Sequence, residues 1–370
     1  MTVSHRFPLS VCGCHRHSEH NHTRSRLRGT GVGGTGVSAD SLRRSRDVPG
    51  LVAQARDGDP RAVARLVTLV ENGDPCLQEL AAALTPYTGQ AQIIGITGSP
   101  GVGKSTTTNE MVRVYRAEGR RVGVLAVDPS SPFTGGAILG DRVRMQDHAT
   151  DPSVYIRSMS SRGHLGGLAA ATPQAVRVLE GAGCDIVLVE TVGVGQAEVE
   201  VASLADTTVV LLAPGMGDAI QAVKAGILEI AEVFVVNKAD RGGVEATYRD
   251  IQGMIALGER GPGEWRPQVV RSVASRGDGI DDIIAAIAKH RAWLSEHGQL
   301  QLRREHRAAV EVEELALGTL RARIGSLREG SALPELAAEV AAGRLDPYAA
   351  AARLLASLDQ VDGDGGSNSG

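Results

Sequence analysis

One stretch limits the folds open to this chain more than any other. Ile93-Ile94-Gly95-Ile96-Thr97 reads as a buried strand, Gly98 to Gly103 as a glycine-rich turn, and Lys104-Ser105-Thr106 as the first turn of a helix. Gly98, Gly103, Lys104 and Ser105 fit the G-x-x-x-x-G-K-[ST] spacing of a phosphate-binding loop. The chemistry requires that spacing. Along Gly98-Ser99-Pro100-Gly101-Val102-Gly103, small residues let backbone N–H groups turn toward phosphate oxygens, and the following helix adds its positive end. Lys104 is expected to reach the β- and γ-phosphates and the Ser105 hydroxyl to ligate Mg²⁺.

Around this loop, from about Gln90 to Ala292, apolar strand runs alternate with helical stretches. That pattern predicts an α/β fold of the P-loop NTPase kind, a mostly parallel sheet with helices on both faces. Strands are expected at Ile93–Thr97, Val122–Val127, Tyr155–Ser158, Ile186–Glu190, Thr208–Leu212, Val233–Val236 and Gln268–Val270. Ligands of such sheets gather at the carboxyl ends of the strands. The remaining motifs fall there.

Asp128 closes the run Val122–Val127 and reads as a metal or water ligand, or as a turn residue before Pro129. Asp141 lies in a glycine-rich loop of the kind that orders around a γ-phosphate and Mg²⁺. Glu190 ends the run Ile186–Val189 and is followed by Thr191-Val192-Gly193. An acid there can hold Mg²⁺ through water while the Gly193 N–H meets the γ-phosphate. Asn237-Lys238-Ala239-Asp240 follows the strand Val233–Val236 and speaks to the base. A carboxylate accepts from guanine N1–H and N2–H₂, a pair adenine lacks, so Asp240 is expected to select GTP over ATP. Lys238 would lie along the ring, Asn237 would tie loops together, and the Ala274 N–H would reach the guanine oxygen.

The flanks carry less. Residues 1–46 are rich in His, Arg and Gly and cannot bury a core; a disordered extension, a metal-collecting tail and an organellar transit segment all fit. Residues 47–89 form a helical lead-in. There Asp59-Pro60 starts a helix burying Val63, Leu66, Val67 and Val70, and Asp74-Pro75 starts another to about Leu84. Residues 293–358 read as charged helices, with Arg303, Arg304, Glu305 and Glu311 on a solvated face, and residues 359–370 as a disordered tail. A net charge of −4 gives no pull toward nucleic acid or an anionic membrane. No run approaches the apolar length of a membrane span. Four scattered cysteines fit a reducing cytoplasm, with Cys184 read as a small buried residue.

Taken together, the phosphate loop, Val127-Asp128-Pro129-Ser130-Ser131-Pro132, Gly140-Asp141-Arg142, Glu190-Thr191-Val192-Gly193-Val194-Gly195-Gln196 and Asn237-Lys238-Ala239-Asp240 resemble the methylmalonyl-CoA mutase-associated GTPases (MeaB, or ArgK) from about Asp47 to Leu358. The resemblance implies a GTP/GDP- and Mg²⁺-dependent protein that escorts an adenosylcobalamin-dependent acyl-CoA mutase, gating cofactor loading and protecting the mutase. It implies Mg²⁺ near Ser105, Asp128, Asp141 and Glu190, and a nucleotide-responsive segment carrying Asp218, Gln221 and Lys224. Lys104, Asp128, Glu190, Gln221 and Lys224 are then the expected catalytic set. It further implies a homodimer built by the C-terminal helices, although intrachain packing accounts equally for their apolar positions. Val273 stands where a serine usually precedes the alanine of the base loop, which weakens only that contact. Val194, not glutamine, follows Gly193, so hydrolysis by the isolated chain is expected to be slow and a partner to complete the site. A metallochaperone GTPase for nickel or cobalt, a small-molecule kinase and a nucleotide-dependent interaction module are the competing readings.

Overall fold

A computed structural model describes residues 47–129, 148, 150–161, 171–191, 197–215, 228–258, 261, 263–329 and 332–364, all within the unit Arg46–Gly370. The expected calls at Asp141, Gly193, Asp218, Gln221 and Lys224, and all those on residues 1–46, lie outside the described residues.

Three helices come first, α1 (Val48–Arg56), α2 (Pro60–Glu71) and α3 (Leu77–Leu84). Asp59 caps α2 by accepting from the Arg61 N–H at 2.9 Å, with Pro60 in the first turn. Val63, Leu66, Val67 and Val70 on its inner face are buried. The next helix begins later than its Asp-Pro signal suggests. Asp74 accepts from the Cys76 N–H and spends the proline on a turn, so α3 opens only at Leu77.

Seven strands follow: β1 (Gln92–Thr97), β2 (Val122–Pro129), β3 (Val154–Ser161), β4 (Ile186–Thr191), β5 (Thr207–Leu212), β6 (Val233–Val236) and β7 (Gln268–Arg271). All pair in parallel, in the order β3-β2-β4-β1-β5-β6-β7. Parallel neighbours need crossovers, and α4 (Lys104–Ala117), α5 (Ala171–Gly181), α6 (Ala197–Leu204) and α7 (Val244–Leu257) supply four of them. The helices sort to two faces. Ile94, Ile96, Leu188 and Val209 pack beneath α4 and α8 (Ile280–Glu296), while Ile93, Val187 and Val189 face α1 to α3, α5 and α6. Burial on both sides is why these strands read as continuous apolar runs rather than alternating ones. β1 sits between β4 and β5, so its carboxyl end opens where the chain's connections diverge.

Three helices close the chain, α9 (Gln299–Glu329), α10 (Ala332–Ala341) and α11 (Pro347–Asp364), the last running past the boundary expected at residue 358. The reading of Arg303, Arg304 and Glu311 as a solvated face needs correction. Arg303 pairs with Glu232 at 2.8 Å, and Arg304 and Arg307 reach the buried Asp206 at 3.3 and 3.4 Å. Asp206 also accepts from the Ile93 N–H, and Glu311 forks onto Arg177 of α5. A carboxylate buried at 1% exposure must be paired, and these arginines pair it. Farther along α9 the apolar side chains Val312, Leu315 and Leu320 stay exposed. Among the described residues, no helix is long and apolar enough to cross a membrane.

Candidate functional site

The site is assembled at the carboxyl ends of β1, β4, β6 and β7. Gly98 leaves β1 with φ 136°, and a Cβ there would stand 2.2 Å from the Leu211 carbonyl oxygen of β5. No side chain fits. Gly101 and Gly103 also take positive φ, and a Cβ on Gly103 would meet Asn237 Nδ2 at 2.4 Å. The loop is thus packed against the β5 backbone and against the Asn237 side chain just beyond β6, at positions where only glycine fits. Val102 is buried, whereas Pro100 and Thr106 are exposed on either side of the turn.

Lys104, 7% exposed, donates its Nζ to the carbonyl oxygens of Gly98 at 2.6 Å and Ser99 at 3.2 Å. Its ammonium is therefore carried inside the curve of the loop. One residue on, Ser105 Oγ donates to Glu190 Oε1 at 2.7 Å, joining the start of α4 to the end of β4. Glu190 is 1% exposed, and its second oxygen accepts from Thr108 Oγ1 at 2.9 Å. The sequence reading missed Thr108. Ser105 and Thr108, three apart, share one helix face, but the carboxylate that draws them together lies 82 residues on. Asp128 stands at the carboxyl end of β2 in register with Ser160 of β3, two positions beyond the residue that pairs with Glu190; its side chain lies outside what is described.

Asn237 joins three loops. Its Nδ2 donates to the Val102 carbonyl at 2.8 Å, and its Oδ1 accepts from Ser272 Oγ at 3.1 Å and the Ala274 N–H at 3.0 Å. The Ala274 amide, expected to meet a guanine oxygen, is engaged by this side chain because Ser272 and Ala274 converge on the same buried acceptor. Lys238 is the one non-glycine residue with positive φ among those described, at 59°. Such a conformation costs about 1–3 kcal/mol and persists only where its surroundings enforce it. Here Lys238 Nζ donates to the Gly101 carbonyl at 2.6 Å, laying the side chain back across the phosphate loop. Asp240 is exposed at the rim and pairs with Arg276 at 3.2 Å. Both partners are well solvated, so the pair orients the carboxylate more than it stabilises the fold.

Oxygen donors dominate the part of the site between Ser105 and Glu190, the chemistry that suits a hard divalent cation. Among the described residues, no group of three or more His, Cys, Asp or Glu forms a cage. Mg²⁺ needs none, since it keeps waters and takes one or two protein ligands beside phosphate oxygens.

Comparison with known proteins agrees with this geometry. Residues 63–328 match the family model described as methylmalonyl Co-A mutase-associated GTPase MeaB. A Pyrococcus abyssi protein is 45% identical over 310 residues, covering 83% of this chain and 96% of its own length. The Mus musculus methylmalonic aciduria type A homolog, mitochondrial, is 34% identical over 337 residues, covering 85% of this chain and 80% of its own. A solved structure described as a LAO/AO transport system kinase superposes with a TM-score of 0.60 at 28% identity, covering 87% of this chain and 99% of that one. The likeness read from the scattered motifs is therefore one of descent, and the chain is a GTPase belonging to the methylmalonyl-CoA mutase-associated family, MeaB.

Proposed function

We propose that the chain binds GTP with Mg²⁺ at the carboxyl end of β1 and uses its hydrolysis to escort an adenosylcobalamin-dependent acyl-CoA mutase, gating cofactor loading and protecting the client. The observation that carries the nucleotide reading is Asn237, whose three hydrogen bonds lock the phosphate loop to the two segments placed for the base. In this reading the backbone of Gly98 to Gly103 and the Lys104 ammonium hold the phosphates. Ser105, Asp128, Asp141 and Glu190 hold Mg²⁺, which when bound supplies charge neutralisation at the β- and γ-oxygens. Asp240 selects guanine, with Arg276 keeping its carboxylate turned to the rim. Gly193 is assigned to the γ-phosphate, and Gln221 and Lys224 to the segment that answers to nucleotide.

Hydrolysis by the isolated chain is slow in this reading, because Val194 stands where a water-orienting glutamine would. The mutase completes the site. The exposed Val312, Leu315 and Leu320 of α9, with Tyr348 and Leu355 of α11, support pairing of two copies through the C-terminal helices. A kinase reading follows the name of the solved relative and would require transfer of the phosphoryl group to a small acceptor. Calorimetry with GTP and ATP in Mg²⁺, then single-turnover hydrolysis with and without the mutase, tests the proposal. GTP bound far more tightly than ATP and hydrolysis accelerated by the mutase are expected. Equal binding of the two nucleotides, or phosphate delivered to an amino acid instead of water, would overturn it.

A further inference from the structure

The two oxygens of Glu190 are held by different hydroxyls from one face of α4. Ser105 donates to Oε1 at 2.7 Å and Thr108 to Oε2 at 2.9 Å, and the three residues are 9%, 0% and 1% exposed in the order Ser105, Thr108, Glu190. A phosphate loop accounts for the first hydroxyl, since Ser105 belongs to the motif. It asks nothing of position 108.

Glutamate explains why a second hydroxyl is needed. Its carboxylate has one more side-chain torsion than that of aspartate, so one hydrogen bond leaves the plane of the group free to swing. A second bond to the other oxygen fixes that plane. Thr108 Oγ1 also lies 3.0 Å from the Lys104 carbonyl, the ordinary back-bond of a helical threonine. Its single hydrogen goes preferentially to the ionised acceptor, which makes the stronger bond, while the nearby carbonyl confines the rotamer.

We propose that Thr108 is the positioning residue for Glu190, fixing the carboxylate so that it meets the water shell of nucleotide-bound Mg²⁺ while Ser105 remains available to the ion. The inference rests on Glu190 as an outer ligand of that cation. It also explains the acid's identity: an aspartate, shorter by one C–C bond of about 1.5 Å, could not keep both hydroxyl contacts from β4.

The experiment measures the Mg²⁺ concentration that half-maximally retains a fluorescent GDP on the full chain, alongside GDP affinity in EDTA and thermal midpoint. Thr108→Val removes only the hydroxyl from a side chain of the same shape. It is expected to raise the Mg²⁺ midpoint about tenfold while leaving the EDTA affinity unchanged, in keeping with loss of one bond to a charged group. Thr108→Ser restores the wild-type midpoint, and Glu190→Asp raises it by a similar factor. In the Glu190→Asp background, Thr108→Val adds nothing. An unchanged midpoint in Thr108→Val, equal losses with and without Mg²⁺, or additive effects of the two substitutions would overturn the proposal. Should Thr108→Val not fold, a wild-type midpoint in Glu190→Asp overturns it alone. GDP retention by the wild-type protein that ignores Mg²⁺ would instead defeat the reading of Glu190 itself.

Discussion

Replacing Asn237 with alanine probes the joint on which the site depends. The side chain is 3% exposed and makes three hydrogen bonds, to the Val102 carbonyl, Ser272 Oγ and the Ala274 N–H. Truncation strands two groups that cannot rotate away, the Val102 carbonyl and the Ala274 amide. Ser272 can turn its hydroxyl elsewhere. At about 1–3 kcal/mol for each stranded buried group, Asn237→Ala should cost about 2–6 kcal/mol. Against a typical total of about 5–15 kcal/mol, the protein should still fold at 25 °C. Ser272→Ala is the control, because it deletes one donor while Asn237 Oδ1 keeps the Ala274 bond, and it should cost less than about 1 kcal/mol. Urea unfolding of both variants without nucleotide, at unchanged denaturant slope, gives the two numbers. The reasoning is refuted if Asn237→Ala lies within about 1 kcal/mol of wild type, since water would then be serving the three groups as well as the side chain does.

Three further perturbations have expected outcomes. Gly98→Ala should abolish nucleotide binding by calorimetry and cost more than about 3 kcal/mol in unfolding experiments, because the new Cβ would meet the Leu211 backbone at 2.2 Å on a left-handed residue. Asp206→Ala should cost about 3–5 kcal/mol, since it leaves Arg304 and Arg307 facing a buried site, whereas Arg353→Ala, in an exposed pair with Glu339, should change stability by less than about 0.5 kcal/mol. Burial, with Arg303 nearby, pushes the His290 imidazole down to about 3 from its usual 6.5. The unfolded chain therefore binds the proton first, so this contribution is complete above pH 6.5 and is lost as pH falls toward 3. Between pH 7.5 and 5 wild type should lose about 2 kcal/mol relative to His290→Gln, and parallel stability curves for the two proteins would contradict this.

What could be read in the sequence depended on how far apart the interacting groups lie. The strands were legible because both sheet faces are covered, which writes Ile186 to Val189 and Thr208 to Leu212 as unbroken apolar runs. Gly98, Lys104, Ser105 and Asn237 were legible because each motif is a fixed local spacing tied to a strand end. Thr108 was not, since a hydroxyl inside Ser105-Thr106-Thr107-Thr108 looks like any helical threonine until a glutamate 82 residues away is folded against it. Arg303 and Arg304 misled for the same reason. Charged residues on a helix usually face water, and only the sheet's topology brings Asp206 and Glu232 beneath them.

That anchoring bears on how the two ends of the chain could communicate. Arg307 donates to the Leu204 carbonyl at 2.5 Å and also reaches Asp206, so α9 grips the last residue of α6 and the first turn beyond it. The start of α6, Ala197, is seven residues beyond Glu190, whose carboxylate faces the start of α4. A shift of α6 along its axis must therefore either stretch charge-assisted bonds to a carboxylate with 1% exposure or carry α9 with it. Breaking a buried pair of this kind costs about 3–5 kcal/mol, more than the 1–3 kcal/mol typical of coupling between sites, so following is the cheaper response. The exposed Val312 and Leu315 lie on the same helix, five and eight residues beyond Arg307, which ties this exposed apolar surface through α9 to the end of α6, the helix that follows β4.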